Sequence, residues 1–145
     1  MLTVTVDKFT FRVPEDLLYS SAGVWVRVDG TLATLGLSDF AQRVSGDIAF
    51  ANIRPPGTEL AIGDEFGSIE TVKVNLELSA PDAGKVIEVN PLLESAPELI
   101  NQDPYGQGWM VRIELERPES AASGLLDAHG YLDLVRNQAE AELNK

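Results

Sequence analysis

The chain has 145 residues, 44% of them apolar, carries a formal net charge of −12 and contains no cysteine. This length suits a single domain over residues 1–145 with a proper core, and the absence of thiols excludes disulfides, thiolate metal sites and a cysteine nucleophile. The acidic balance, without a basic patch, argues against nucleic-acid binding. No apolar run is long enough to cross a bilayer, and the N-terminus lacks the pattern of a signal peptide. We therefore expect a monomeric cytoplasmic protein without a membrane partner.

The first part of the chain alternates short strand patterns with turns. Residues 1–14 alternate apolar and polar side chains, which predicts an additional N-terminal β segment. Asp29-Gly30 lies between two apolar arms and predicts a hairpin, because this dipeptide tolerates positive φ. Ser38 is expected to cap a short helix over residues 39–44.

Strand patterns continue on both sides of Lys73. Apolar and β-branched residues favour strands over residues 66–72, 75–79, 85–89 and 109–116. Turns rich in proline and glycine separate these segments. This spacing of short strands predicts a mainly β fold, built as a β-sandwich or flattened barrel.

The last part of the chain changes to a helical pattern. Two helices are predicted over residues 119–128 and 131–143, separated by Gly130, within a helical tail over residues 119–145. One face of the second helix carries Leu132, Val135, Ala139 and Leu143. We expect this face to pack on the sheet.

Lys73 has the setting of a modification site. A covalent carrier needs a lysine that is exposed and presented at a fixed angle. A tight β-turn meets this need, because it projects the side chain away from the sheet while strand pairing holds its base. In isolation an exposed lysine is usually a solvated surface residue, and only the surrounding segment changes that interpretation.

The segment over residues 67–90 resembles the lipoyl-lysine segment of the glycine cleavage H protein family. E-T-V-K at residues 70–73 corresponds to E-S-V-K in that family, and P-E-L-I-N-Q-D-P-Y-G-Q-G-W-M at residues 97–110 resembles its C-terminal signature. The resemblance covers roughly residues 15–135. It implies a lipoyl-type barrel-sandwich hybrid, with two small antiparallel sheets and lipoate attached covalently to Lys73 at a hairpin turn.

The resemblance also implies roles for other residues. In that family a glutamate at −3 and glycines at −16 and +11 help the lipoylating enzyme to accept the lysine, and these positions hold Glu70, Gly57 and Gly84 here. Glu77 is expected to contact a partner. The implied protein is a non-catalytic carrier whose swinging arm moves intermediates between enzymes. Its expected partners include a lipoate ligase or lipoyl transferase and a dihydrolipoyl dehydrogenase.

Departures from the family pattern bear on the pathway. Gly23-Val24-Trp25 keeps only the tryptophan of the usual His-Glu-Trp run, and residues 74–79 differ from the usual segment after the lysine. These changes favour a related group, the H-like lipoate-binding proteins of a heterodisulfide-reductase-like sulfur oxidation complex. The alternative is the H protein of the glycine cleavage system, which carries an aminomethyl group between glycine decarboxylase, aminomethyltransferase and dihydrolipoyl dehydrogenase. A second alternative is an unmodified protein-interaction module.

Other residues carry weaker signals. The single histidine, His129, is expected to satisfy carbonyls at a helix junction, and we expect no metal site or catalytic residue. Trp25 and Trp109 lie in strand patterns and are expected in the core. Biotin carriers usually flank their lysine with methionines, whereas Val72 and Val74 are the neighbours here, so a lipoyl group is favoured.

Overall fold

Eleven strands and three α-helices are found in the computed structural model, which describes residues 1–121 and 123–143. In chain order the strands are β1 (Leu2–Val6), β2 (Phe9–Val13), β3 (Leu18–Tyr19), β4 (Val24–Asp29), β5 (Leu32–Leu37), β6 (Ile48–Ile53), β7 (Glu59–Leu60), β8 (Glu65–Thr71), β9 (Asn75–Ser79), β10 (Gly84–Val89) and β11 (Val111–Leu115). The helices are α1 (Asp39–Ser45), α2 (Leu99–Gln102) and α3 (Ala128–Leu143).

The N-terminal segment is an antiparallel hairpin of β1 and β2. Its turn places Asp7 at φ 57°, a left-handed conformation that aspartate tolerates better than most residues. Val4 and Phe11 are paired across the strands and buried on the inner face. Thr5 and Thr10 are paired on the outer face, where their hydroxyl oxygens are 2.9 Å apart.

The largest sheet has six antiparallel strands in the order β3-β4-β5-β11-β10-β7. The hairpin predicted at Asp29-Gly30 is confirmed, because β4 and β5 pair there and Gly30 adopts φ 65°. A second sheet has three antiparallel strands in the order β6-β8-β9. The β8–β9 connection carries Lys73.

The predicted helix after Ser38 is confirmed as α1. The Ser38 side chain accepts a hydrogen bond from the backbone N–H of Ala41 at 3.2 Å, and Gly46 ends the helix at φ 92°, where a glycine is favoured.

No helix within residues 1–121 and 123–143 is both long and apolar enough to cross a membrane.

The prediction of two C-terminal helices separated by Gly130 is wrong. Described residues of the first predicted helix instead form a 3-10 turn over Pro118–Ser120, followed by turns. Leu126 then exchanges backbone hydrogen bonds with Tyr19 at 2.8 Å in both directions, which holds it in a bridge to β3. The Asp127 carboxylate accepts the N–H of Gly130 at 2.8 Å. Asp127 thus caps the start of α3, and the helix begins before the glycine. Gly130 therefore lies in the first turn of α3.

The buried face of α3 follows the predicted pattern. Val135 and Ala139 are buried and Leu132 is partly buried, and α3 packs against β1, β2 and β3. The ring of Tyr131 stacks on that of Tyr19, with centroids 4.5 Å apart. The side chain of Leu143 lies outside the described residues.

Two apolar clusters form the core. The larger one lies between the six-stranded and three-stranded sheets and includes Val26, Leu35, Phe66, Ile69 and Ile113. The smaller one joins the N-terminal hairpin to α1 and α3 and includes Val4, Phe11, Phe40, Tyr131 and Val135. Burial of each large apolar side chain stabilises the fold by about 1.5–3 kcal/mol. The predicted mainly β class is confirmed, although one sheet is larger than expected.

Candidate functional site

Lys73 occupies the exposed turn between β8 and β9. The backbone N–H of Thr71 donates to the carbonyl oxygen of Val74 at 2.8 Å. The Thr71 hydroxyl oxygen accepts the N–H groups of Lys73 at 3.1 Å and Val74 at 3.0 Å, the pattern of a side chain that closes a turn. Val72 is 100% exposed. The turn is therefore held firmly at its base while its tip stands in solvent.

The Lys73 side chain is exposed and lies toward the end of α1. Its Nζ donates to the carbonyl oxygen of Val44 at 3.3 Å. Its Cδ lies 3.6 Å from the place where a Cβ on Gly46 would stand. The acceptor of the ammonium is thus a backbone carbonyl at the surface, so the nitrogen is reachable from solvent.

Glu70 and Glu77 lie on the outer face of the three-stranded sheet, close to the lysine. Glu70 is paired with Asn75, and Ser68 is paired with Glu77. Paired residues project to the same face, which makes the two glutamates diagonal neighbours about 7–8 Å apart. Glu70 is half-buried, whereas Glu77 is exposed. The structure therefore brings these two predicted residues to the same side of the turn that holds Lys73.

Gly57 and Gly84 belong to a different part of the fold. The N–H of Gly57 donates to Val86 in β10 at 2.7 Å, and Gly84 is paired with Leu60 and Leu115 in the six-stranded sheet. A Cβ on Gly84 would lie 2.4 Å from the carbonyl oxygen of Glu114, and Gly57 adopts φ +96°. Steric and backbone requirements thus account for glycine at both positions.

Sequence reasoning missed the exposed apolar side chains around the turn. Val72 is fully exposed, Phe50 is 62% exposed and Val74 is 40% exposed. Phe50 is paired with Glu70 on the outer face of the sheet. Their strand patterns resemble those of half-buried residues, so sequence alone gives no signal of exposure. Exposed apolar groups beside a functional residue are typical of contact surfaces.

The remaining predicted residues have structural surroundings. Trp25 is confirmed in the core, since its ring is fully buried and its Nε1 donates to Pro104 at 2.9 Å. Trp109 is partly buried and packs at the edge of the smaller core cluster; it lies outside the strand, with the Arg112 guanidinium 4.3 Å from its ring centroid. His129 is exposed in the first turn of α3, not at a helix junction. Within residues 1–121 and 123–143, no three His, Cys, Asp or Glu side chains are placed to hold a metal ion.

The site fits a covalently attached acyl group. The Lys73 amine is exposed, and its turn is braced by Thr71. Acylation would convert the ammonium into a neutral amide that still has one N–H. That N–H matches the hydrogen bond that Nζ now donates to Val44. Modification therefore needs no rearrangement of the turn.

A solved structure shares this architecture. The crystal structure of a glycine cleavage system H protein from Mycobacterium marinum matches with a TM-score of 0.78 and 26% identity, over 87% of this chain and 99% of that one. The chain is therefore a lipoyl-type barrel-sandwich domain. The family model "Glycine cleavage H-protein" matches residues 17–138, and the chain belongs to the glycine cleavage H-protein family.

Relatives with higher identity carry the same name. The chain is 42% identical over 128 residues to the glycine cleavage system H protein of Carboxydothermus hydrogenoformans, covering 88% of this chain and 98% of that protein. It is 47% identical over 120 residues to the glycine cleavage system H protein of Symbiobacterium thermophilum, covering 83% of this chain and 93% of that protein. These names support the glycine cleavage alternative better than the sulfur-oxidation interpretation favoured from the sequence.

Proposed function

We propose that this chain is a lipoyl carrier of the glycine cleavage system, with lipoate in amide linkage to Lys73. The observation that carries the proposal is the exposed lysine on a turn braced by the Thr71 hydroxyl. Bound lipoate supplies a dithiolane that opens to a dithiol able to bear an aminomethyl group. The chain itself supplies position and reach and contributes no active site of its own.

Tethering explains how such a protein contributes to the reaction sequence. A group held on a short arm meets each docked active site at a high effective concentration, because the encounter becomes intramolecular. The proposed partners are glycine decarboxylase, aminomethyltransferase and dihydrolipoyl dehydrogenase, all in the cytoplasm. The formal charge of −12 favours basic docking surfaces on these enzymes.

The residues around the turn divide between two proposed roles. Glu70 lies close to Lys73 in the chain and pairs beside the turn, which suits recognition by a lipoate ligase or lipoyl transferase. Glu77 is exposed on the same sheet face and suits contact with a partner enzyme. Gly57 and Gly84 shape the six-stranded sheet, whereas the lysine and the two glutamates lie on the three-stranded sheet. The role of the two glycines in recognition is therefore indirect.

Mass spectrometry tests the modification. The chain is produced together with a lipoylating system, and its intact mass is expected to rise by one lipoyl group. Peptide mapping should place the group on Lys73 and leave the exposed Lys85 of β10 bare. A chain that keeps its bare mass would support the alternative of an unmodified interaction module, and a lipoyl group on Lys85 would refute the site.

Reconstitution tests the pathway. The lipoylated protein is mixed with glycine decarboxylase and labelled glycine, and label is expected to accumulate on the protein. The Carboxydothermus hydrogenoformans relative serves as the reference carrier. A correctly lipoylated chain that takes up no label from glycine, and exchanges electrons with a heterodisulfide-reductase-like complex instead, would return the function to sulfur oxidation.

A further inference from the structure

Asn101 lies where α1, α2 and β6 meet. It belongs to the short helix α2, and its neighbour Ile100 is fully buried in the larger core cluster. Core packing therefore holds the base of the Asn101 side chain. Since α1 and α2 pack against each other, the amide of Asn101 is placed at the junction where α1 ends and the chain turns into β6.

The side chain of Asn101 makes three hydrogen bonds at this α1–β6 junction. Its Nδ2 donates to Oε1 of Gln42 in α1 at 2.9 Å and to the carbonyl oxygen of Gly46 at 3.0 Å. Its Oδ1 accepts the backbone N–H of Ile48, the first residue of β6, at 2.9 Å. One side chain thus ties the end of α1 to the beginning of β6.

The same junction receives the side chain of Lys73. Its Cδ lies 3.6 Å from the place where a Cβ on Gly46 would stand, and its Nζ donates to the carbonyl oxygen of Val44 at 3.3 Å. The last carbonyl groups of a helix have no partner within the helix, and the lysine satisfies one of them. Asn101 and Lys73 therefore bind to the same short stretch of backbone.

Gly46 makes the junction soft unless a side chain holds it. The residue adopts φ 92°, and glycine has more backbone freedom to lose than any other residue. Its N–H is bonded to the carbonyl oxygen of Gln42 at 3.1 Å, and its carbonyl oxygen accepts the bond from Asn101. Loss of that donor would free the peptide unit after Gly46 and loosen the surface beneath Lys73.

We propose that Asn101 is a positioning residue for the lipoylation of Lys73, an inference that rests on the proposed modification. Asn101 fixes the α1–β6 junction, and the junction presents the lysine amine to the lipoylating enzyme in a narrow range of directions. A free lysine side chain has a large rotamer entropy, so a side chain that is already ordered leaves the enzyme less to order on binding. Asn101 acts through Gly46, and Lys73 remains the residue that reacts.

The reaction itself takes place at Nζ of Lys73. The ammonium loses one proton to solvent, and the free amine attacks the acyl carbon of an activated donor, an acyl adenylate of lipoate. The new C–N bond forms while the bond from the acyl carbon to the phosphate oxygen breaks. The nucleotide leaves with the electron pair, and a second proton passes to solvent. Positioning acts on the encounter of amine and enzyme, so its loss should raise the KM for the carrier more than it lowers kcat.

Lipoylation kinetics test this role. Asn101→Ala removes all three hydrogen bonds, whereas Asn101→Asp keeps the acceptor for Ile48 but loses both donors. With purified lipoate ligase, free lipoate and ATP, both variants should show a KM for the carrier several-fold above that of wild type. Should Asn101→Ala fail to fold, Asn101→Asp supplies the measurement, because it keeps the volume of the side chain. A wild-type KM in a folded variant would overturn the proposal.

Asn90→Ala is the matched control. Asn90 is a buried asparagine at the end of β10, and it too makes three hydrogen bonds. Its Nδ2 donates to the carbonyl oxygens of Gln107 and Trp109, both at 2.7 Å. Its Oδ1 accepts the N–H of Leu92 at 3.0 Å. The control should lose stability in urea as Asn101→Ala does but keep the wild-type KM. Equal increases of KM in the two variants would assign the effect to general destabilisation and overturn the proposal.

Nuclear magnetic resonance of the bare chain gives a readout that needs no modification. The order parameter of the Lys73 side chain should fall in Asn101→Ala and stay at the wild-type value in Asn90→Ala. An unchanged order parameter in Asn101→Ala would contradict the positioning role. A wild-type chain that the ligase leaves bare contradicts the proposed function and this role together. A wild-type chain that is lipoylated, beside an Asn101→Ala chain with the same KM, contradicts the positioning role alone.

Discussion

The backbone N–H of Lys73 donates to the hydroxyl oxygen of Thr71 at 3.1 Å. The same oxygen accepts the N–H of Val74, and the hydroxyl donates to the carbonyl oxygen of Val74 at 3.3 Å. One side chain therefore satisfies backbone groups of both Lys73 and Val74. The corresponding family segment has serine at this position, which supplies the same hydroxyl.

Thr71→Val should loosen the turn that holds Lys73. The change keeps the β-branched shape but removes the acceptor of two backbone N–H groups. Each hydrogen bond contributes about 0.5–1.5 kcal/mol net, and solvent can replace part of the loss at an exposed turn. We expect the free energy of unfolding in urea to fall by about 1 kcal/mol and lipoylation to slow. Thr71→Ser retains the hydroxyl and should behave like wild type; equal stability of all three chains would contradict the bracing role.

Lys73→Arg should abolish lipoylation and leave the fold intact. The guanidinium is not acylated, yet it preserves the positive charge and the donor near Val44. Surface substitutions of this kind change stability by less than about 0.5 kcal/mol. Intact mass and thermal unfolding measure the two effects. Lys85→Arg is the control and should accept one lipoyl group; unfolding of Lys73→Arg would contradict the exposed-turn geometry.

Glu70→Gln and Glu77→Gln should separate ligase recognition from partner docking. Glu70→Gln is expected to slow lipoylation several-fold, because it removes the charge beside the turn. Glu77→Gln should be lipoylated normally but transfer its arm less efficiently to glycine decarboxylase. Lipoylation rates and label uptake measure the two steps, with Glu59→Gln at an exposed position of β7 as control. Identical profiles for the two variants would show that the glutamates do not divide these roles.

Features set by local chemistry could be predicted from the sequence. Ser38 caps α1 and Asp29-Gly30 turns β4 into β5, because caps and tight turns depend on few residues. At Gly130 the local signal is overridden by contacts from other parts of the chain. Its local signal is that of a helix breaker, but the Asp127 cap and the bridge between Leu126 and Tyr19 determine where α3 begins.

The surroundings of Lys73 also combine features that can be predicted from the sequence with features that cannot. Lys73 is recognisable from neighbouring residues of the chain, whereas the groove of about 340 Å³ beside it requires Phe9, Phe40 and Ala139 to meet from three distant segments. No spacing in the sequence places these three side chains together. The exposure of Val72 cannot be predicted from the sequence either. Its apolar side chain fits a strand pattern, but the turn leaves it fully in solvent.

Gly84→Ala should destabilise the sheet more than Gly57→Ala does. The added Cβ of Gly84→Ala would lie 2.4 Å from the backbone oxygen of Glu114, and overpacking of this kind costs about 1–3 kcal/mol. Gly57→Ala meets no atom within 4 Å but has φ +96°, a left-handed strain of about 1–2 kcal/mol. Urea unfolding measures both losses, and lipoylation of the folded fraction tests recognition separately. A Gly84→Ala chain as stable as wild type would contradict the close strand packing.

Stability should fall steeply above pH 10 because of buried tyrosines. Burial raises the pKa of Tyr131 to about 12 and raises the pKa values of Tyr19 and Tyr105 as well. The folded chain keeps these protons after the unfolded chain begins to lose them near pH 10. The contribution of each tyrosine is therefore full below pH 10, and it declines by up to about 1.4 kcal/mol per pH unit as the pH rises toward the folded pKa.

Tyr131→Phe isolates one of these tyrosines. The variant loses the 2.6 Å hydrogen bond between the Tyr131 and Ser38 hydroxyls, so it should be less stable than wild type by about 1 kcal/mol at pH 8. Between pH 10 and pH 12 the slope of its free energy of unfolding against pH should be shallower than that of wild type by up to about 1.4 kcal/mol per pH unit, the contribution of one proton, so the two stability curves converge and then cross. Urea unfolding at half-unit pH steps measures this convergence. Phe40→Leu, which alters a buried ring without a hydroxyl, should run parallel to wild type, and a Tyr131→Phe curve that also ran parallel would show that ionisation of this tyrosine does not contribute to alkaline unfolding.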